Sequence, residues 1–378
     1  MTFFETGSVD MAKEIIILGG GVIGLAAAFE CRKRGHHVTV LDIAACGGQA
    51  SGAAAGMLAP YSEISEDPDD FFLLCAESLK EYPEWQKDVK QASGLDFEYR
   101  KTGSLSVVFH EAELLPLETR KTWQKEFGVE ATIIRREQLK DLEPNLTDDI
   151  VAALYTPDES HLYSPDYVRA LKQACLSIGV TIYEHLQETE IVEWKTDITV
   201  RSKDGRQFSA DTLVISNGAW SLHLGDVFGL TIPVFPIRGQ ICSYKCEGAV
   251  NHLIFSSQGY LVSKENGTLV CGATEDVAGF NTEVTDKGIA RLEKWSKTLL
   301  PCLQEVPVDH RWAGLRPATQ DGFPLIGPLS NYQHVLFATG HYRNGILLSP
   351  ITAKIVADQV DGLPERLSLA AFSPERFS

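Results

Sequence analysis

Disulfide pairs, an excess of positive charge, long apolar runs and metal-ligand clusters are all missing from this sequence of 378 residues. Eight cysteines occur without a CxxC pair. At this length that argues against a disulfide framework and for small buried hydrophobes in a reducing compartment. Lysine and arginine total 34 against 51 acidic residues, a formal net charge of −17. Such a field repels phosphate backbones and anionic membranes and argues against nucleic-acid binding. A few local arginines can still hold a small anion at short range. No run of about 18 apolar residues occurs, so no bilayer-spanning helix is expected. Neither a Ser-His-Asp arrangement, nor HExxH, nor a metal-spaced His/Cys set is found, so no metal centre is expected. Internal repeats are absent. Residues 1–11 show no signal-peptide pattern and read as a poorly ordered leader, and a cytoplasmic setting is expected.

What is present points to a globular protein of two domains. Hydrophobic residues make up 44% and charged residues 22%, ample material for a core. Glu14–Leu18 is a short apolar strand, Val22 to Arg34 has helical spacing, and His37–Leu41 is a second strand. Between the first strand and the helix, Gly19, Gly21 and Gly24 satisfy GxGxxG. The first glycine permits the tight turn, the second lets a pyrophosphate approach the backbone, and the third lets helix and strand pack closely. The helix start offers free N–H groups and partial positive charge to the anion. Asp42, directly after the second strand, is placed to accept ribose hydroxyls and disfavours a 2′-phosphate. Glycine-rich turns alone are common; strand, glycines, helix, strand and acid in register are selective. The nearly side-chain-free stretch from Gly47 to Met57 follows, and would let backbone approach a bulky ligand.

Along the rest of the chain, residues 70–92 read as a helix interrupted at Pro83, and 95–100 with 103–110 as paired strands. Helices are expected over 111–127, 135–142, 165–177 and 285–299, with strands dominating 181–218 and 232–274. A final strand, His334–Thr339, runs through a glycine turn into a helix from Ile346. The first βαβ unit does not separate NAD from FAD; this second helix start at the far end favours a flavin, which must be held at two places. The expected fold class is α/β with an α+β second domain, a Rossmann-like FAD-binding domain interleaved with a strand-rich substrate domain. The boundaries expected are 12–85, 150–230 and 325–378 for the first, and 86–149 and 231–324 for the second.

Four segments carry a family resemblance: Ala53–Met57, Trp312–Pro317, Asp321–Gly327 and Gly340–Leu348. With the glycine fingerprint they resemble the D-amino acid oxidase family of flavoproteins, and within it the glycine-oxidising branch, over nearly the whole chain. The resemblance implies noncovalent FAD, since the segment Leu315 to Asp321 has no cysteine where related sarcosine oxidases attach theirs. It implies flavin contacts at Val22, Ile23, Asp42, Ile43, Ala50, Ser51, Ala55, Gly56 and Met57. Further contacts are implied at His341, Tyr342, Arg343, Asn344, Gly345, Ile346 and Leu347. A backbone contact is implied near Glu188, where an apolar residue is usual. It also implies a homotetramer.

An amino acid substrate carries a carboxylate that must be fixed so that its α-C–H faces the flavin. A planar guanidinium does this with two parallel hydrogen bonds. Arg316 is the candidate on its own position and by resemblance, the alternative being an interdomain salt bridge. Arg343 is expected to face the substrate or support the flavin. Tyr260 could offer its hydroxyl to the carboxylate, although strand tyrosines are often core residues. No side-chain base is required if the amine is neutral when hydride leaves. The expected reaction takes glycine, sarcosine or a small D-amino acid to a 2-oxo acid (glyoxylate from glycine) and ammonia. Hydride passes to flavin N5 and O₂ is reduced to H₂O₂; resemblance places the reaction in the thiazole branch of thiamine synthesis. Alternatives are a D-amino acid or sarcosine oxidase or dehydrogenase, and a flavin-binding redox sensor or assembly factor without turnover.

Overall fold

The computed structural model describes residues 12–63 and 68–378, so the expected leader lies outside the described residues. Two large sheets organise the chain. The first has six strands in the order Leu325–Leu329, Tyr332–Thr339, Thr212–Ile215, Glu14–Leu18, His37–Leu41 and Thr181–Tyr183. Glu14–Leu18 pairs in parallel with both neighbours, Ile15 lying opposite Thr212 and Val38. Covered on both faces, it is the near-continuous apolar run that a buried parallel strand needs. Only the edge pair Leu325–Leu329 and Tyr332–Thr339 is antiparallel.

Helix Val22–Lys33 is buried from Val22 to Cys31, and Ala26, Ala27 and Ala28 let it lie between other elements. It packs on helix Gly345–Asp361 and on Ser164–Ser177, with Phe29 set edge-on against Trp85 at 5.6 Å. A helix apolar on every side belongs inside a core rather than on a surface.

The second sheet has eight strands, in the order His310–Thr319, Val234–Lys245, Thr268–Gly272, Gly259–Ser263, Leu253–Ser256, Ser104–Val108, Ala152–Thr156 and Thr132–Arg135. Helix Asp286–Leu299 starts at Thr285, whose hydroxyl accepts the Gly288 N–H at 3.1 Å. Its residues Ile289, Leu292 and Trp295 share a core with Cys242, Tyr244 and Cys271. Period-two alternation sends Ile241, Tyr260 and Val270 to the opposite face, against Ala55 and Ala59 of the small-residue segment. The face that carries the candidate site is therefore fixed by strand register.

Three expectations change. Residues 70–93 form one uninterrupted helix across Pro83. Burial of Phe72, Leu79, Tyr82, Trp85 and Val89 on one face holds it against a cost of about 3 kcal/mol for an interior proline. The strands read as a pair at 95–100 and 103–110 separate: Tyr99–Arg100 pairs with Ser160–Leu162, while Ser104–Val108 pairs with Ala152–Thr156 and Leu253–Ser256. Gly103, at φ +71°, turns the chain from one sheet to the other. Finally, the boundary expected at 150 puts Ala152–Thr156 in the nucleotide part, whereas its ladders to Ser104–Val108 and Thr132–Arg135 place it in the second sheet.

Candidate active site

A cavity of about 800 Å³ runs from the glycine turn of the first sheet to the inner face of the second. Gly19, Gly21, Val22, Ile23, Asp42, Ile43, Ala50, Ser51, Ala55, Gly56, Met57 and Glu188 line it at one end and along its length. Tyr260, Arg316, His341, Tyr342, Arg343, Gly345 and Ile346 line the remainder. The start of the chain and its end thus meet across one space.

Two expected contacts, Leu347 and Asn344, do not line it, and neither does Gly24 of the glycine fingerprint. Gly24 faces the strand: a Cβ there would stand 2.6 Å from the Ser216 hydroxyl, so this glycine serves close helix packing. Leu347 is buried in the core, where its carbonyl accepts the Ser78 hydroxyl at 2.6 Å. Asn344 is the N-cap residue of helix Gly345–Asp361 but makes no side-chain cap. Glu188 lines the cavity, with its exposed side chain paired to Lys203.

The nucleotide end fits FAD on its own geometry. Gly21, the N-cap of helix Val22–Lys33, is extended and provides no side-chain cap. The Ser51 hydroxyl accepts the Val22 N–H at 2.9 Å, leaving other first-turn N–H groups directed at the space. Asp42 is pinned, one oxygen accepting the Gly20 N–H at 2.7 Å and the other the Ala44 N–H at 2.8 Å. Burial raises its pKa against the opposing pull of these two bonds. Asn217 also lines the cavity, and its buried Oδ1 has no hydrogen-bond partner. An orphaned buried acceptor beside an uncapped helix start is what a polyol and pyrophosphate ligand would satisfy. Helix Gly345–Asp361 opens on the same cavity, equally without a side-chain cap.

At the far end Arg316 lies on the strand His310–Thr319, paired with Val234–Lys245 so that Gly314 faces Gly239 and Arg316 faces Ile237. Its Nη1 donates to the Thr274 carbonyl at 3.0 Å. Among the described residues no carboxylate forms a direct ion pair with it, and Glu63 acts on it only at longer range. Gly239 makes room for it: a Cβ on Gly239 would stand 2.5 Å from the guanidinium carbon. Tyr260 is buried beside it, and burial pushes its hydroxyl up to about 12, opposed by Arg316 and Arg343. It therefore stays protonated and can donate.

Arg343 differs. Its Nη1 meets Glu275 at 3.2 Å and its Nε meets Glu63 at 3.9 Å. Glu63 raises the basicity of Arg343, ahead of the opposing effect of burial. Glu63 is itself pushed up by burial, with Arg343 and Arg316 pulling the other way. Tyr342, held at φ +45°, donates its hydroxyl to Glu275 at 3.1 Å and its N–H to the Pro317 carbonyl at 3.0 Å. A non-glycine residue in the left-handed region costs roughly 1 kcal/mol or more and is retained where surrounding contacts over-determine it. His341 is buried and its Nε2 lies 3.1 Å from the Thr352 hydroxyl; burial pushes it down to about 3, so it is neutral.

Sequence reasoning missed Glu63, Gly239, Glu275 and the run from Ser216 to Trp220 with His223. The strand Thr212–Ile215 leading into Asn217 and Gly218 was legible and resembled the other nucleotide turns. For Glu63 and Glu275 no local pattern existed.

The family described as FAD dependent oxidoreductase matches residues 14–359. Glycine oxidase of Geobacillus kaustophilus is 32% identical over 96% of this chain and 97% of its own length. The bifunctional protein ThiO/ThiG of Synechocystis is 34% identical over 96% of this chain, which spans 54% of that longer protein. Among solved structures, glycine oxidase from Geobacillus kaustophilus superimposes with a TM-score of 0.91 at 30% identity, over 97% of this chain and 99% of that one.

Proposed function

The chain belongs to the FAD dependent oxidoreductase family, and we propose that within it the chain is a glycine oxidase whose substrate carboxylate is taken by Arg316. One observation carries this reading: a guanidinium inside the cavity, held at one nitrogen by the Thr274 carbonyl, with no acidic partner among the described residues. A half-buried guanidinium that faces the cavity without a direct ion pair has donors free for a ligand carboxylate. Full-length similarity to glycine oxidase supports glycine as the substrate.

Arg316 binds the carboxylate by two parallel N–H donors, fixing orientation as well as charge. The Tyr260 hydroxyl, protonated up to about 12, donates to a carboxylate oxygen. Met57 and Ile241 line the cavity with apolar surface that keeps water from the α-carbon. His341, neutral and turned toward Thr352, moves no proton. The amine reacts in its neutral form, and proximity and orientation are the enzyme's main contribution. FAD, when bound, supplies the acceptor for the hydride pair leaving the α-carbon. Released imine hydrolyses to glyoxylate and ammonia.

Oxygen as electron acceptor, H₂O₂ as product, a homotetramer, a cytoplasmic setting and supply of the thiazole branch of thiamine synthesis belong to the same reading. Among the described residues no helix is long and apolar enough to cross a membrane. The test is product balance in air: glycine should yield glyoxylate, ammonia and H₂O₂ in equal amounts. Sarcosine, D-alanine and D-proline are run beside it. Turnover of one of these with none of glycine would reassign the substrate, and absence of all turnover would remove the reading.

A further inference from the structure

Three consecutive residues, Thr274, Glu275 and Asp276, serve the two cavity arginines in turn. The Thr274 carbonyl holds Arg316 at 3.0 Å. Glu275 accepts from Arg343 at 3.2 Å and from the Tyr342 hydroxyl at 3.1 Å. Asp276 fixes the segment, accepting from Gln240 at 2.7 Å and from the Thr274 hydroxyl at 2.8 Å. Its backbone exchanges hydrogen bonds with Arg238 at 2.9 and 3.0 Å. With the residues on either side tied down, the direction of the Glu275 side chain is set, and it points at Arg343 rather than Arg316.

We propose that Glu275 is a specificity-determining residue: it occupies Arg343, leaves Arg316 as the single cavity guanidinium open to a ligand among the described residues, and so makes the cavity admit small monocarboxylates and reject dicarboxylates. The proposal rests on the reading of this cavity as the seat of an amino acid carboxylate. The charge count explains the selectivity. Two guanidiniums, Arg316 and Arg343, stand with two carboxylates, Glu63 and Glu275, so with both acids ionised the cluster is neutral before a ligand enters. A monocarboxylate adds one negative charge against Arg316. A second carboxylate meets no uncommitted cation among the described residues, and Glu63 and Glu275 repel it. Removing the charge at 275 frees Arg343 Nη1 and leaves the cluster one unit more positive.

The test uses the FAD-loaded protein titrated with acetate and, separately, malonate, following the flavin visible band. Neither ligand is oxidised, so the measurement is independent of turnover. In Glu275→Gln, malonate should bind about tenfold more tightly, a change in keeping with one unit of charge at a half-exposed site. Acetate should change by less than about threefold. Glu275→Asp, which keeps the charge, should restore the wild-type ratio. An unchanged malonate-to-acetate ratio in Glu275→Gln, or equal tightening of both, overturns the proposal. Failure of acetate to bind the wild type removes the cavity reading and the proposal with it. Glycine turnover with an unchanged ratio removes the proposal alone.

Discussion

Replacing Gly239 by alanine tests the placement of Arg316 without touching Arg316. The two residues are diagonal neighbours across the ladder between Val234–Lys245 and His310–Thr319. An added Cβ would stand 2.5 Å from the guanidinium carbon, where ordinary contact begins at 3.4 Å. The obstructing group is the end of a flexible side chain, so it yields rather than the strands, and it moves by roughly 1 Å. That breaks its bond to Thr274 and misplaces the carboxylate it holds. A displacement of this size costs on the order of 100-fold in kcat/KM. Stability should change little, with Tm within about 2 °C of wild type, and FAD should stay bound. The assay is steady-state oxidation of glycine beside a thermal melt. Unchanged kcat/KM would refute Arg316 as the carboxylate anchor. A large drop in Tm would mean that the sheet had yielded in place of the side chain.

Arg316→Ala removes two charge-assisted bonds worth about 1.5–3 kcal/mol each, so the KM for glycine should rise at least about 100-fold; the protein should still purify yellow. Asp42→Ala removes the pinned carboxylate that also accepts the Gly20 N–H, so FAD should dissociate at least about tenfold more readily, measured as flavin fluorescence passing an ultrafilter. Glu159 is buried and accepts from the Ser62 N–H and hydroxyl at 2.7 and 2.6 Å; burial pushes it up from 4.5 to about 7. Its folded value exceeds its unfolded one, so the folded state binds the extra proton and stability is lost as pH rises through that window. Glu159→Gln should remove up to about 3 kcal/mol of difference in unfolding free energy between about pH 5 and about pH 8. Urea titrations at the two pH values give the answer, and an unaltered pH slope would refute it.

Both ends of the cavity's nucleotide side were legible because each is a contiguous motif. Gly19 to Asp42 and Gly340 to Ile346 carry their own strand, glycine turn and helix start, and local sequence determines all three. The same contiguity misled at the edges. Leu347 lies two residues beyond Gly345, about 200° round the helix, and therefore faces the core. Gly24 looks at Ser216, as the packing role of the third fingerprint glycine requires. Residues brought in by register were invisible: Gly239 acts on Arg316 only because two long strands pair at that offset. Glu63 and Glu275 come from separate elements and meet only at Arg343. Ala152–Thr156 was misplaced for the same reason, since nothing local tells a strand which of two sheets it joins.

Anaerobic addition of glycine to the purified, FAD-loaded protein tests the central claim most directly. The visible flavin bands should bleach under nitrogen in proportion to glycine and return when air is admitted. A flavin that keeps its oxidised spectrum at saturating glycine, in protein that still binds acetate, would contradict the assignment of this cavity to glycine oxidation.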